Sequence, residues 1–376
     1  MPTIHWLGAG LSSVPGIRRL AASDRPFVLW NRTLFKAQAA LADGSGDARE
    51  LNWSELKSAV HPAAVVVSML PADLHQRVAE LCLRVGAHFV CSSYLAPAME
   101  ALDAEAKAKG LRFVSEVGLD PGIDHLMAHV LMADYQASGM MDPTHEHRFR
   151  SYCGGFPSKP NDFRYKFSWS PLGVLRALKT PARWIEDGAE VTTEKPWKAL
   201  SSYSVELPGG EETFQAYPNR DSIPFTEPYG FSPEFNLQSF VRGTLRLDGW
   251  AEAWQEIFGV VDSSATGEDE LNLLSDSLWK QHAYDPNESD RVILHVEMTV
   301  TDGDQPVWSG AFALDERGDE TGSAMARLVS KTVSIAVEAV LDDELPPGVS
   351  VAPSDHLAAD AWLAKLVASG ERIVRT

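Results

Sequence analysis

The first 120 residues alternate short apolar runs with stretches of helical periodicity, and that alternation narrows the fold more than any other feature of the chain. Thr3 to Leu7, "PFVLW", "AAVVVSML", "AHFVC" and "LRFVSE" read as strands, while "DLHQRVAELCLRVG" and "APAMEALDAEAKAKG" carry apolar residues at helical spacing. Strands joined through helices by short loops run parallel, and helices cover both faces of such a sheet. The expectation is an α/β chain whose first part is a Rossmann-type, doubly wound parallel sheet, with ligands beyond the carboxyl ends of its strands.

A glycine turn lies where such a domain holds phosphates. "GAGLSSVPG" follows the first strand with glycines at 8, 10 and 16. Gly8 permits a tight turn, Gly10 lets the backbone approach a pyrophosphate, and Val14 to Ala22 opens a helix whose N-terminus favours anions. Ser13 stands in place of the third glycine of G-x-G-x-x-G, which predicts a slightly wider spacing of helix and strand. At the end of the second strand an NAD-binding fold presents an acid to the ribose 2′-hydroxyl. Asn31, Arg32 and Thr33 stand there instead. A guanidinium suits a 2′-phosphate, so the expected cofactor is NADP, with NAD second. The plainer alternative for Arg32 is a solvated surface residue.

The loops at Ser68-Met69-Leu70, Ser92-Ser93-Tyr94 and Leu119-Asp120-Pro121 face the same edge as the glycine turn. The last of them lies in "EVGLDPGIDH", where Pro121 and Gly122 turn the chain and Asp124 flanks the start of the next helix. An acid at a helix start satisfies free amides, so the structural reading is preferred for Asp124, as it is for His125. Asp120 is divided between a turn residue and a site residue over the reactive end of the cofactor.

Composition excludes some partners. A net charge of −19 over 376 residues argues against a nucleic-acid groove or an anionic membrane surface, leaving small molecules held by locally gathered arginines. Cys82, Cys91 and Cys153 are odd in number and lack C-x-x-C spacing, which fits free thiols in the cytoplasm. "MPTIHWLGAG" has no basic leader, so no secretion signal is expected, and "AAVVVSML" is far short of the ~20 residues that span a bilayer. His145 and His147 share a strand face, but the sequence offers no third ligand and no metal is expected.

The segments "EVGLDPGIDHLMA", "SYCGGFP", "YKFSWSPLGVL", "YPNRDSIPF" and "RGTLRLDGW" stand in an order that resembles the saccharopine reductases, the glutamate-forming saccharopine dehydrogenases. With the glycine turn and "GSAMARLVSKTVSIAVEAVL" the resemblance covers most of the chain. It implies an oxidoreductase of lysine metabolism acting on a CH–NH group with NADP. Such an enzyme interconverts L-saccharopine with L-glutamate and 2-aminoadipate 6-semialdehyde, hydride passing to or from an imine carbon. It also implies a dinucleotide domain of residues 1–121 and about 351–376, and a larger α+β substrate-binding and dimerisation domain of 122–350 in a homodimer. Fungal members carry a long helical insertion after the position of Trp250, where only about forty residues precede "RVILHVEMTV", so the small third domain is expected to be reduced or absent.

Residue by residue, the resemblance puts Leu11, Ser12, Ser13 and Val14 on the pyrophosphate loop and Ser168, Trp169 and Ser170 near the nicotinamide. It puts Ser93, Tyr94 and Asp120 beside both cofactor and substrate, with Tyr94 and Asp120 as candidates for proton transfer. Thr244 and Leu245 approach the substrate, and Cys153 and Gly154, with Gly155, suggest a close backbone approach to ligand. A thiolate has no task in imine reduction, so Cys153 is not read as a nucleophile. Arg220 and Arg246 are the expected carboxylate clamps, unless each pairs with Asp221 or Asp248. Ser170-Pro171 also reads as an N-cap and first helical residue. The competing readings are a carboxynorspermidine-type imine reductase, which needs fewer carboxylate clamps, and a non-catalytic NADP(H) sensor.

Overall fold

The computed structural model describes residues 1–42, 44–263, 266–286 and 288–376. Contacts gather the chain into two compact units, the first of residues 1–126, 320–322 and 326–370, the second of 127–319, 323–325 and 371–376. Residues 1–121 and 351–370 lie in the first unit together with 326–350, while 371–376 pair within the second.

The first unit is a seven-stranded parallel sheet. Its elements are β1 (Ile4–Leu7), α1 (Val14–Ala21), β2 (Phe27–Asn31), α2 (Leu34–Leu41), β3 (Asp47–Glu50), α3 (Trp53–Ala59), β4 (Val65–Ser68), α4 (His75–Val85), β5 (His88–Val90), α5 (Pro97–Glu100), α6 (Asp103–Ala108) and β6 (Arg112–Val114). The helix α7 (Ile123–Ala137) crosses the boundary between the units. Register aligns Leu7 with both Trp30 and Ser68, so Gly8 and Met69 leave the sheet at the edge where β2 ends in Asn31. Strand order runs β6-β5-β4-β1-β2-β3, and the chain reverses direction across the sheet between β3 and β4. The glycine turn therefore leaves β1 at the switch point, where such sheets bind ligands. Trp6, Trp30, Val66, Phe89 and Phe113 are buried within this unit. A seventh strand, Gly348–Ser350, pairs outside β6.

The second unit is a nine-stranded mixed sheet with helices. It contains β7 (Glu146–Pro157), α8 (Pro171–Lys179), β8 (Ala182–Glu186), β9 (Ala189–Thr193), β10 (Ser201–Leu207), β11 (Gly210–Pro218), β12 (Asn236–Arg246), α9 (Trp250–Ala253), α10 (Gln255–Asp262), α11 (Glu268–His282), β13 (Asp290–Asp302) and β14 (Gln305–Arg317). The chain continues through α12 (Ala324–Leu341), β15 (Gly348–Ser350), α13 (His356–Ala368) and β16 (Ile373–Arg375). Strand order is β10-β11-β12-β7-β13-β14-β16, with β8 and β9 off β12. Only the β12–β7 pairing is parallel, as the α+β expectation allows. Between Trp250 and β13 the chain forms three helices, and Ser264 and Ala265 of its acidic "DSSATGEDE" stretch lie outside the described residues.

Two glycines of the turn have opposite surroundings. A Cβ at Gly16 would stand 2.3 Å from the Ser330 carbonyl oxygen of α12, and the Gly16 amide donates to Ser330 Oγ at 2.8 Å. The close approach associated with a third glycine is thus made at Gly16, against α12, while Ser13 is the buried N-cap of α1. No chain atom lies within 4 Å of a Cβ at Gly10. Gly16→Ala is expected to destabilise the first unit by about 1–3 kcal/mol in urea unfolding. Gly10→Ala is expected to stay within about 0.5 kcal/mol of the parent.

Candidate functional site

At the glycine turn the structure separates packing from ligand approach. Gly8 has φ +100, and a Cβ there would stand 2.7 Å from the Met69 carbonyl oxygen, so the crossing of β1 and β4 itself requires glycine. Gly10 has no such packing reason, and the open space at its Cβ position leaves room for a pyrophosphate to pass close to the backbone. Asn31 ties this turn to the next loop: its Oδ1 accepts from the Ala9 amide at 3.1 Å and its Nδ2 donates to the Thr33 carbonyl at 2.9 Å. Arg32, between them, is exposed and has no hydrogen bond or ion pair among the described residues. An unpaired guanidinium held beside the turn fits the 2′-phosphate of NADP. Leu11, exposed, and Ser12 complete the turn before Ser13 and Val14 start α1.

The "EVGLDPGIDH" stretch proves to be a scaffold around one presented carboxylate. Glu116 lies in the left-handed region at φ +56 and is buried; its amide donates to the Ser93 carbonyl at 3.0 Å and its Oε1 accepts from the Leu95 amide at 2.8 Å. Its other oxygen is 2.9 Å from His125 Nε2. Asp124 is fully buried and accepts from the Gly122 amide at 2.7 Å, so it fixes the turn as the structural reading expects. Against this frame the half-buried Asp120 accepts a 3.2 Å hydrogen bond from Tyr94 Oη. Gly118 and Pro121, bonded through N–H and C=O at 2.9 Å, close the turn beneath it.

A histidine that sequence reasoning passed over lies behind the loop. His75, the first residue of α4, places Nδ1 2.9 Å from Ser68 Oγ and Nε2 2.8 Å from Ser93 Oγ. Burial pulls its pKa down to about 4, against the opposing pull of Asp73. Ser92 points its Oγ at Met69 Sδ, 3.6 Å away, and Leu70 half-buries itself against Gly8.

In the second unit three aromatic rings surround Arg246. This side chain is buried, with its guanidinium carbon 5.0 Å from the Tyr165 ring centre, 5.3 Å from Trp250 and 5.5 Å from Tyr217. Nη1 donates to the Leu245 carbonyl at 3.0 Å, Nε has no hydrogen bond, and no carboxylate pairs with it among the described residues. Burial raises the Tyr217 and Tyr165 hydroxyls, with the Arg246 charge opposing. All three rings belong to the quoted motifs "YKFSW", "YPNR" and "LDGW", yet the motifs alone do not tell that they cage one cation.

The other expected residues divide. Thr244 pairs with Tyr217 on one side and Cys153 on the other. Gly154 has a packing reason, because a Cβ there would stand 2.6 Å from the Leu245 carbonyl oxygen; the neighbouring strand, not a ligand, makes the close approach. Ser170 caps α8 by accepting from the Gly173 amide at 3.2 Å, with Pro171 behind it. Trp169 lies over Gly173, and Ser168 Oγ is buried without a hydrogen bond. Arg220 is exposed at φ +60, while Asp221 is held by Arg183 in two bonds of 3.0 and 2.9 Å. His147 is buried, its Nε2 3.1 Å from Tyr135 Oη, and no group of three metal-type ligands exists among the described residues.

Residues 4–114 match the family model described as the saccharopine dehydrogenase NADP binding domain, and 118–370 match the saccharopine dehydrogenase C-terminal domain. The NADP(+)-dependent, L-glutamate-forming saccharopine dehydrogenase of Pyricularia oryzae is 34% identical over 74% of this chain and 61% of its own length. The Saccharomyces cerevisiae enzyme of the same description is 30% identical over 91% of the chain and 92% of its own length. Mouse mitochondrial alpha-aminoadipic semialdehyde synthase is 38% identical over 53% of the chain, which spans only 21% of that protein. Among solved structures, apo saccharopine dehydrogenase from Saccharomyces cerevisiae superposes with a TM-score of 0.79 at 27% identity over the full length of both. The homospermidine synthase of Legionella pneumophila, at 9% identity and a TM-score of 0.66, shares the fold.

Asn31→Ala removes both bonds that tie the glycine turn to the Arg32 loop. The expected result is about tenfold weaker NADPH binding in a fluorescence titration. An unchanged affinity would mean that the loop is positioned by other contacts.

Proposed function

The chain belongs to the saccharopine dehydrogenase family, and from that premise we propose that it interconverts L-saccharopine with L-glutamate and 2-aminoadipate 6-semialdehyde, using NADP. The observation that carries the reading is Arg246. A buried guanidinium without a carboxylate is costly, and aromatic faces offset only part of that cost. An anionic ligand completes the site, and saccharopine brings three carboxylates. A polyamine-type substrate brings fewer, and a sensor that binds only NADP(H) has no need of the cage.

The roles of this chain's residues follow. Gly8, Gly10 and the start of α1 receive the pyrophosphate, Asn31 holds the Arg32 loop, and Arg32 meets the 2′-phosphate. Bound NADP supplies the hydride acceptor for oxidation, and its reduced form the donor for the reverse. Arg246 fixes a substrate carboxylate, with Arg220 and Thr244 as further contacts, and so sets the orientation of the reacting carbon. Tyr94 and Asp120, joined by their hydrogen bond, hold and pass the proton exchanged with the substrate nitrogen or with attacking water. We read the chain as a cytoplasmic homodimer of lysine metabolism. Its three free cysteines are buried, as suits a reducing compartment, and no helix among the described residues is long and apolar enough to cross a membrane.

Purified protein with L-saccharopine is expected to reduce NADP, and NAD more slowly, by near-ultraviolet absorbance. No reduction with either cofactor would overturn the proposal. Arg246→Met is expected to raise the saccharopine KM about 100-fold with NADPH affinity unchanged. Arg32→Ala is expected to raise the NADP KM about tenfold and leave that for NAD unaltered; equal effects on both would remove Arg32 from the 2′-phosphate.

A further inference from the structure

The Ser68–His75–Ser93 chain has a direction that the geometry decides. A neutral imidazole donates from one nitrogen and accepts at the other. His75 is neutral near pH 7, because burial outweighs the pull of Asp73 and the N-terminal end of α4 adds to the same effect. Ser68 is fully buried, and its hydroxyl has no hydrogen-bond partner among the described residues except His75 Nδ1. If Nδ1 carried the proton, the Ser68 hydroxyl hydrogen would be buried without an acceptor, a cost the fold has no reason to bear. The half-buried Ser93 is under no such constraint, since its hydroxyl can reach water or a ligand. The favoured arrangement is therefore Ser68 O–H to Nδ1, and Nε2–H to Ser93 Oγ, in the 2.9 and 2.8 Å contacts.

We propose that His75 is a positioning residue: locked by Ser68 in the Nε2–H tautomer, it donates to Ser93 Oγ and leaves the Ser93 hydroxyl hydrogen free for an oxygen of the bound cofactor or substrate. Ser68 ends β4, one residue before the carbonyl that lies against Gly8. Ser93 precedes Tyr94, the partner of Asp120, and its own carbonyl is held by the Glu116 amide. The relay thus links the end of β4, beside the glycine turn, to the loop that carries the proton-transfer candidates. Its direction stands on the hydrogen-bond geometry of a neutral imidazole, while its use by a ligand rests on the proposed reaction.

Two measurements on the full chain test it. Long-range proton–nitrogen correlation on protein labelled at histidine nitrogen, without ligand and near pH 7, reads the tautomer directly, with His75→Gln identifying the resonance. A protonated Nε2 and an unprotonated Nδ1 are expected; a protonated Nδ1 overturns the proposal. In kinetics, His75→Leu is expected to cost about tenfold, and His75→Gln, whose amide keeps a donor near Ser93, about threefold or less. In a Ser93→Ala background His75→Leu is expected to add nothing. A tenfold loss in both backgrounds, or none in either, overturns the relay. A loss seen in NADPH affinity assigns the Ser93 acceptor to the cofactor, and one confined to the saccharopine KM assigns it to the substrate. Should the parent protein not turn over saccharopine, the proposed reaction fails, and the tautomer and NADPH affinity still decide the relay.

Discussion

Hydrogen bonds from side chains of separate elements cross the carboxyl edge of the parallel sheet, and the arrangement of the loops there depends on them. Loops that hold ligands ordinarily lie in water and move. Here each is pinned by a side chain from another element: Asn31 from the end of β2 holds the glycine turn, His75 from α4 joins the strand end at Ser68 to Ser93, and Glu116 from the segment after β6 clamps the Ser93–Leu95 backbone. None of these three needs to touch a reacting atom. Their effect is to hold Arg32, the Ser93 hydroxyl and the Tyr94–Asp120 pair on rigid supports, as a site that must orient its reactants requires.

In the second unit two buried arginines differ. Arg291 forms bidentate bonds to both Asp315 and Glu212. Arg246 has rings around it and a backbone carbonyl, but no carboxylate among the described residues. That difference from Arg291 is what the proposed carboxylate contact of Arg246 rests on.

Periodicity and glycine chemistry made the parallel sheet legible. The five strands read from apolar runs are β1, β2, β4, β5 and β6. The edge strand β3 escaped because "DARE" is polar and largely exposed, and β15 because "GVS" holds a single large apolar residue. "APAMEALDAEAKAKG" reads as one helix but forms two, α5 and α6, either side of Ala101-Leu102. Single-residue chemistry was legible where it is local: the Ser170 cap follows from its neighbours in sequence, and so does the turn at Asp124. It was hidden where the partner is remote. Ser330, which makes Gly16 necessary, lies more than three hundred residues away, and His75 looks like any helical histidine until Ser68 and Ser93 flank it.

The short segment after Trp250 packs behind the rings that surround Arg246. Tyr165, Tyr217 and Trp250, the three rings around Arg246, are members of one buried cluster that continues through Trp254, Ile257, Val261, Leu271 and Leu278. Those last five residues come from the loop after α9 and from α10 and α11, so the forty-odd residues before β13 form the rear wall of the arginine cage. Trp250 stacks on Tyr217 at 5.3 Å and tilts against Trp254 at 5.2 Å, which fixes the ring faces that Arg246 meets. Aromatic surface of this size is buried with several kcal/mol of benefit in any compact segment. A longer helical insertion can add to the outside of such a wall, but the orientation of the cage is already set by the rings within it. The cage around Arg246 therefore depends on packing behind the rings and not on the length of the chain that supplies it.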